Sequence, residues 1–284
     1  MQNNKVEYVK DTFEEYLGKK DHISASDIKN FLVSPKVYWN NKYGNKERKE
    51  ERHFVMGSAF HELILEPDMF SSNYFIGKKY DMRTTQGKQM NENNLIEANG
   101  RTIIFDTEFE IIRGMATSCT ENKTLIELLK DGYREVSAYS IDEKTGLKVK
   151  VRPDSLCHNK STAVDIKTCL DSSKRSFRSD VYGYGYDISS AYYSDILSRE
   201  NYVFCAVEKK APYQCSLYQL DDDMIEAGRI KYRKALDLLK WSYDNDFWCD
   251  YNQFEILQEC YDIENLNVAL DMIHSTQIIS IINK

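Results

Sequence analysis

The chain has 284 residues, 42% of them hydrophobic and 29% charged, with a formal net charge of −7. That is the composition of an ordinary globular protein; no run approaches the roughly 18 apolar residues of a membrane helix, and the polar start Met1-Gln2-Asn3-Asn4-Lys5 lacks an export signal. Seven cysteines without a C-x-x-C pair read as reduced thiols of a cytosolic protein, neither a zinc site nor a disulfide framework, and argue against a four-cysteine iron–sulfur cluster.

Residues 1–22 are polar and show only a weak helical pattern from Tyr8 to Leu17. Ser24 and Ser26-Asp27 offer N-caps for a helix through Phe31-Leu32, which stops near Ser34-Pro35. Pro35 suits the first turn of a second helix that carries Val37, Tyr38 and Trp39 and ends near Gly44. A charged loop is expected over residues 45–53, and a helix over 54–65. Gly57, Ser58 and Ala59 let another element approach that helix closely, and His61 stands one turn after Gly57 on the same face. Alone, such a histidine is more often a packing residue than a ligand. Residues 78–99 are polar and predict a loop, in which Arg83, Lys88 and Lys79 are either phosphate contacts or solvated charges. Residues 107–129 predict one long helix or two shorter ones. Gly132 stops them before a strand over 133–141, where Glu135 pairs across strands with Lys148 or Lys150 or, less simply, adds an acidic ligand.

The chemistry concentrates in the next stretch. Residues 147–151 form a strand that runs into Pro153-Asp154. Eleven residues on, Asp165 and Lys167 alternate with Val164 and Ile166, so the charged pair shares one face of a strand while the apolar pair enters the core. A hairpin turn at His158-Asn159-Lys160-Ser161 pairs the two strands and gathers Asp154, Asp165 and Lys167 at one sheet edge. Two carboxylates there make an oxygen-rich site for Mg²⁺ or Mn²⁺, and a neighbouring ammonium can orient an attacking water. Residues 144–178 hold nine Lys/Arg against three Asp, a basic groove in an acidic body if those cations share a surface. Asp171-Ser172-Ser173 caps a helix bearing Lys174, Arg175 and Arg178, an anion site suited to DNA phosphates. A helix over 187–199 follows, with Ser189 and Tyr193 one turn apart, then strands over 203–207 and 213–218. Asp221-Asp222-Asp223 reads as the N-cap of a long helix rather than a metal cluster. A further helix is expected at 266–273, and the end, Ile278-Ile279-Ser280-Ile281-Ile282, is apolar.

Arg152-Pro153-Asp154 with Asp165-Ile166-Lys167 resembles the PD-(D/E)xK nuclease signature. Gly57-Ser58-Ala59-Phe60-His61 with Leu65-Glu66-Pro67, Asp81-Met82-Arg83-Thr84, Tyr184-Gly185-Tyr186-Asp187, Ala191-Tyr192-Tyr193 and Glu208-Lys209-Lys210-Ala211-Pro212-Tyr213 flank that signature. Over residues 23–239 the chain is similar to phage and prophage RecE-type (exonuclease VIII-like) exodeoxyribonucleases, in which the motifs occur in the same order. The resemblance implies an α/β fold, a central mixed sheet flanked by helices, with a nuclease domain at 23–243 between an N-terminal extension (1–22) and a C-terminal helical one (244–284). It implies that Asp154, Asp165, the Ile166 carbonyl and His61 hold Mg²⁺ and that Lys167 activates water; Arg83, Lys174, Arg175, Arg178 and Tyr193 are the candidate DNA contacts. It further implies 5′ to 3′ degradation of linear duplex DNA in the cytoplasm of a bacterial host, a ring-like homo-oligomer such as a tetramer, and a single-strand annealing protein as partner in phage-type recombination. The family commonly has glutamine where Ser189 stands, so that interaction with Tyr193 is in doubt. The alternatives are a nicking or structure-specific endonuclease of the same superfamily, and a non-catalytic DNA-binding assembly module.

Overall fold

The computed structural model describes residues 6–44, 51–130, 132–157 and 161–275. In chain order it begins with β1 (Glu7–Val9), α1 (Phe13–Gly18), α2 (Ala25–Val33), α3 (Pro35–Tyr43), α4 (Arg52–Leu65), α5 (Pro67–Asn73), β2 (Tyr74–Gly77), α6 (Thr85–Ala98), β3 (Thr102–Phe105), α7 (Asp106–Glu121) and α8 (Lys123–Lys130). The strands β4 (Gly132–Arg134), β5 (Ser137–Ile141), β6 (Lys148–Val151), β7 (Ser155–Cys157) and β8 (Thr162–Cys169) follow. Then come α9 (Lys174–Gly183), α10 (Tyr186–Leu197), β9 (Asn201–Glu208), β10 (Cys215–Gln219), α11 (Asp222–Asp244), α12 (Tyr251–Asp262) and α13 (Ala269–Ser275).

The central sheet has the order β10-β9-β8-β7-β4; β8 and β9 run parallel and the other pairs antiparallel. Alternation along β8 and β9 explains why helices cover both of its faces. Ala163, Tyr202, Phe204 and Ala206 pack into one core with residues of α2, α9, α10 and α11, while Val164, Ile166, Cys205 and Val207 pack into another with α4, α7 and α8. This is the mixed α/β architecture the motif predicts. Caps fix the helix starts where the sequence marks them. Ser24 accepts from the Asp27 amide at 3.2 Å while the Ser24 amide donates back to the Asp27 carboxylate at 2.8 Å, a reciprocal pair of the kind where loss of the cap costs about 1 kcal/mol. Asp221 caps α11 in the same manner, as expected. Gly228 of α11 lies so near α10 that a Cβ there would sit 2.1 Å from the Asp187 carbonyl oxygen, which fixes the close crossing of those helices.

Five expectations change. Residues 1–22 are not merely weakly helical: β1 pairs with β5 and joins β6 in a separate three-stranded sheet. The strand expected over 133–141 is two strands in different sheets, broken at Glu135, whose φ is +52°. Likewise β6 pairs with β5 rather than β8, and only the short β7 beyond Asp154 pairs with β8. Residues 78–99 contain α6, capped by Thr84 and closed by Asn99 in the left-handed region. Of α6 only Gly87, Asn94 and Ala98 are buried, so it lacks the apolar stripe that marks a helix in sequence. The helix expected at 266–273 begins as a 3₁₀ turn, Leu266–Val268, before α13, and α12 had no counterpart in the sequence reading. Two strands at 203–207 and 213–218 are found as β9 and β10. Residues 45–50, the hairpin tip at 158–160 and the apolar end at 278–282 lie outside the described residues. No described helix is long and apolar enough to cross a membrane.

Candidate active site

The site forms where the chain changes sheets twice. Between β4 and β5 the switch is at Glu135; between β6 and β7 it is at Arg152-Pro153-Asp154. The Glu135 amide donates to the Asp154 carbonyl at 3.2 Å, so the two crossings are joined through backbone. Asp154 projects from its crossing and Oδ2 accepts the Ile166 N–H at 2.5 Å, which ties the carboxylate to β8. Asp165, one residue earlier on β8, is 7% exposed and accepts from the Lys167 ammonium at 2.8 Å. From the other face of the sheet α4 brings His61, with Nδ1 3.5 Å from Asp154 Oδ2. One ligand atom each from His61, Glu135 and Asp154 lies within 4.8 Å of the others.

Electrostatics separate the two aspartates. Burial pushes the Asp165 carboxyl above its ordinary value, and Lys167 offsets this only in part. Burial also acts on Asp154, yet His61, Lys167 and the Ile166 N–H hold its carboxyl below the usual range. Burial disfavours charge on both cations, but Asp154 wins at His61, and Asp165 with Asp154 wins at Lys167, so both are raised. Glu135 is raised by burial and by Asp154, against the pull of Arg152. The centre thus holds buried acid groups whose charge the protein compensates unevenly, an arrangement that attracts a cation.

Sequence reasoning brought Asp154, Asp165, Lys167 and His61 to one place, and the structure does the same. It shows Ile166 there through its N–H. Tyr193 is nearby but engaged: its hydroxyl meets both the N–H and the carbonyl of Arg152 at 3.5 Å, behind the carboxylates. Lys174, Arg175 and Arg178 lie exposed on α9, whose N-cap Ser173 accepts from the Ser176 amide. Arg83 is almost fully exposed before α6, with its guanidinium 3.9 Å from the Asp81 carboxylate. The basic groove is a correction. Lys144 pairs with Asp237, Lys148 with Asp21, buried Lys150 donates to the Tyr16 and Lys19 carbonyls, and Arg152 is buried among Glu135, Asp11 and Ser137. A count of cations in a window misses their pairing; among the described residues only those of α9 remain exposed on a common element, and Lys160 lies outside the described residues.

Glu135 is paired as expected but with Arg152 rather than Lys148 or Lys150, and it also reaches the centre. Lys29 was not singled out from sequence. Its side chain runs over Gly185, where a Cβ would come within 2.8 Å of it, and its ammonium donates to Ser189 Oγ at 3.2 Å. Burial, and then Lys167, lower its pKa to about 8. Ser189 bonds to Lys29 and to the Gly185 carbonyl. No local pattern could reveal that pairing, because the partner comes from a distant helix.

Comparison with known proteins agrees with this geometry. A family model described as a PDDEXK-like domain of unknown function (DUF3799) matches residues 24–259. No curated protein matches the chain. Among solved structures, a presumptive exonuclease from Eubacterium rectale is similar with a TM-score of 0.59 at 16% identity, over 84% of this chain and 88% of that one, a likeness of fold. A phage-related exonuclease from Haemophilus somnus matches at a TM-score of 0.34 and 13% identity, over 79% of this chain and 96% of that one. An alkaline exonuclease from Laribacter hongkongensis matches at 0.30 and 14%, over 83% and 97%; scores this low do not bear on the argument. With the strand-crossing aspartate, the Asp-x-Lys strand and the match over most of its length in hand, the chain belongs to the PDDEXK-like DUF3799 family and has the fold of a PD-(D/E)xK nuclease.

Proposed function

We propose that the protein is a Mg²⁺-dependent deoxyribonuclease that degrades linear double-stranded DNA from its ends. The observation that carries this reading is the convergence of Asp154, Asp165, Lys167 and His61 at one strand crossing. The donor set suits a hard divalent cation: His61, Glu135 and Asp154 offer ligand atoms within 4.8 Å of one another, and Asp165 and the Ile166 carbonyl, which the resemblance adds, belong to the strand tied to Asp154. A cation bound there supplies Lewis acidity toward a phosphoryl oxygen and lowers the pKa of coordinated water. Lys167, held by Asp165, keeps its ammonium where it orients the attacking water and offsets charge developing on the phosphate. Arg83, Lys174, Arg175 and Arg178 grip backbone phosphates, which gives affinity without sequence preference. Tyr193 contributes by holding the Arg152 backbone and so the Asp154 crossing.

The exonuclease name of the Eubacterium rectale neighbour and the RecE-type resemblance favour attack at ends over nicking. The same resemblance supports 5′ to 3′ polarity, a ring-like homo-oligomer and a single-strand annealing partner in phage-type recombination. An end-labelled linear duplex should be degraded with Mg²⁺ or Mn²⁺ and spared with chelator, while a closed circle stays intact. Asp165→Ala should lose about 4 kcal/mol of transition-state stabilisation, roughly a thousand-fold in rate, with DNA binding retained. Nicking of the circle, or full activity in Asp165→Ala, would overturn the proposal.

A further inference from the structure

Three thiols meet on the face of the central sheet opposite the catalytic aspartate of β8. Cys119 lies in the last turn of α7, Cys205 on β9 and Cys215 on β10. Their sulfur atoms all lie within 4.8 Å of one another, and those of Cys205 and Cys215 are 3.4 Å apart. Cys205 is the register partner of Ile166, and both turn into the core that α4, α7 and α8 cover, while Asp165 sits one position along on the other side. The trio is therefore separate from the carboxylate centre.

We propose that Cys119, Cys205 and Cys215 form a thiolate site for one Zn²⁺ ion. A metal–sulfur distance of about 2.3 Å sets sulfur pairs about 3.8–4.0 Å apart. One pair here is tighter than that and the others are bounded at 4.8 Å, so the excess over the separation an ion imposes is at most about 1 Å. A disulfide suits the geometry less well. Cys205 stands opposite Leu217, and Cys215 opposite Val207, so the two cysteines are diagonal across the ladder. Diagonal residues lie about 7–8 Å apart, beyond the usual Cα separation of a disulfide.

The surroundings are those of sulfur ligands. The Asn122 side-chain oxygen accepts from the Leu125 amide at 3.1 Å, which fixes the amide's orientation and leaves its NH₂ facing Cys215, 3.5 Å from the carbonyl oxygen and 3.7 Å from Sγ. An N–H aimed at sulfur supports a thiolate and partly offsets the single negative charge left when three thiolates bind a divalent ion. Cys119 and Cys205 are fully buried, but Cys215 is half-buried and gives the ion its way in. Binding exchanges three S–H bonds for three S–metal bonds and releases up to three protons to solvent. No redox partner is needed. The ion would fasten α7 to β9 and β10, behind the strand that carries Asp165 and Lys167.

The test uses the full chain, reduced and stripped with chelator, in excess Mg²⁺ to occupy the carboxylate centre. Cd²⁺ serves as the probe, because its ultraviolet charge-transfer band reports thiolate ligands and not oxygen ones. The band should grow to a plateau at one equivalent in the unmodified chain, and Zn²⁺ should displace it. Cys215→Ser should weaken Cd²⁺ binding by at least about ten-fold, while Cys260→Ser, in the other core, leaves it unchanged. Absence of a band in the unmodified chain, or a band indifferent to Cys215→Ser, would overturn the site. The first of these measurements needs no variant, so a misfolded mutant cannot shield the proposal.

Discussion

His61 shows how much a neighbour decides about a residue. On α4 it follows Ala59 and Phe60, both wholly buried, and would pass for a third packing residue. Its ring instead stands beside Asp154, 3.5 Å away, and keeps part of its surface open. A neutral imidazole ligates through one nitrogen, so His61→Ala should raise the Mg²⁺ concentration for half-maximal cleavage by roughly ten-fold. Thermal unfolding of that variant should change little, since the ring fills no core space. A variant whose metal requirement matched the parent would return His61 to a packing role. Asp154, Asp165 and Lys167 were legible because a proline marks the strand end and a period of two sorts charged from apolar residues. Glu135 was only half legible. Its access to the centre depends on a left-handed backbone at a sheet switch, and no propensity forecasts that at a glutamate. Arg152 misled because it continues the alternation of Lys148 and Lys150, whereas its spatial neighbours are Asp11, Glu135 and Ser137.

Elements with a strong apolar stripe or a good cap were readable from the sequence: α2, α4, α11 and the strands β8 and β9 lie where periodicity puts them, although the pairing of those two strands was not read. Those held by distant partners were not. The strands β1, β5 and β6 complete one another, and α6 buries almost nothing of its own. At this scale α9 tests DNA capture. If Arg175 and Arg178 each neutralise a phosphate, changing both to alanine should weaken duplex binding and flatten the log-affinity against log-salt slope by about 2. An unaltered slope would leave them as solvated charges. The turn from β5 to β6 tests an acid-labile fastening. Asp142 accepts from both Arg233 terminal nitrogens and from the Thr145 amide, tying this turn to α11. Burial pushes its carboxyl up, but Arg233 and Thr145 prevail and hold it below 3.8. A lowered folded-state pKa means stability that is present above the ordinary carboxylate value and lost as pH falls through the folded one. Asp142→Asn should therefore cost about 1.5–3 kcal/mol near neutrality. The gap between parent and variant should narrow below about pH 4, as read by denaturant unfolding at several pH values.

For the whole molecule, the decisive joint is between its two larger sheets, and the first residues of the chain guard it. The switch at Glu135 and the switch at Asp154 both pass Arg152, whose side chain is 9% exposed. Arg152 donates to the Glu135 carboxylate at 2.9 Å and to the Asp11 carboxylate and carbonyl at 2.9 and 3.0 Å. Asp11 in turn accepts from Ser137 at 2.5 Å and from the Tyr139 hydroxyl. It follows β1, so the segment before the DUF3799 match closes over the back of the carboxylate centre. Removing Asp11 leaves a buried guanidinium with one carboxylate, the situation in which a broken buried pair costs about 3–5 kcal/mol. Asp11→Ala should thus lower stability by that order in a denaturant titration. It should also slow Mg²⁺-dependent cleavage more than it weakens DNA binding, because the loosened crossing displaces Asp154 and Glu135 while the cations of α9 stay put. Asp11→Asn keeps the shape and can still accept from Arg152, so it should fall between the two. If Asp11→Ala unfolded no more easily than the parent, the N-terminal segment would be a passive cover, and the joint would depend on Glu135 and Arg152 alone.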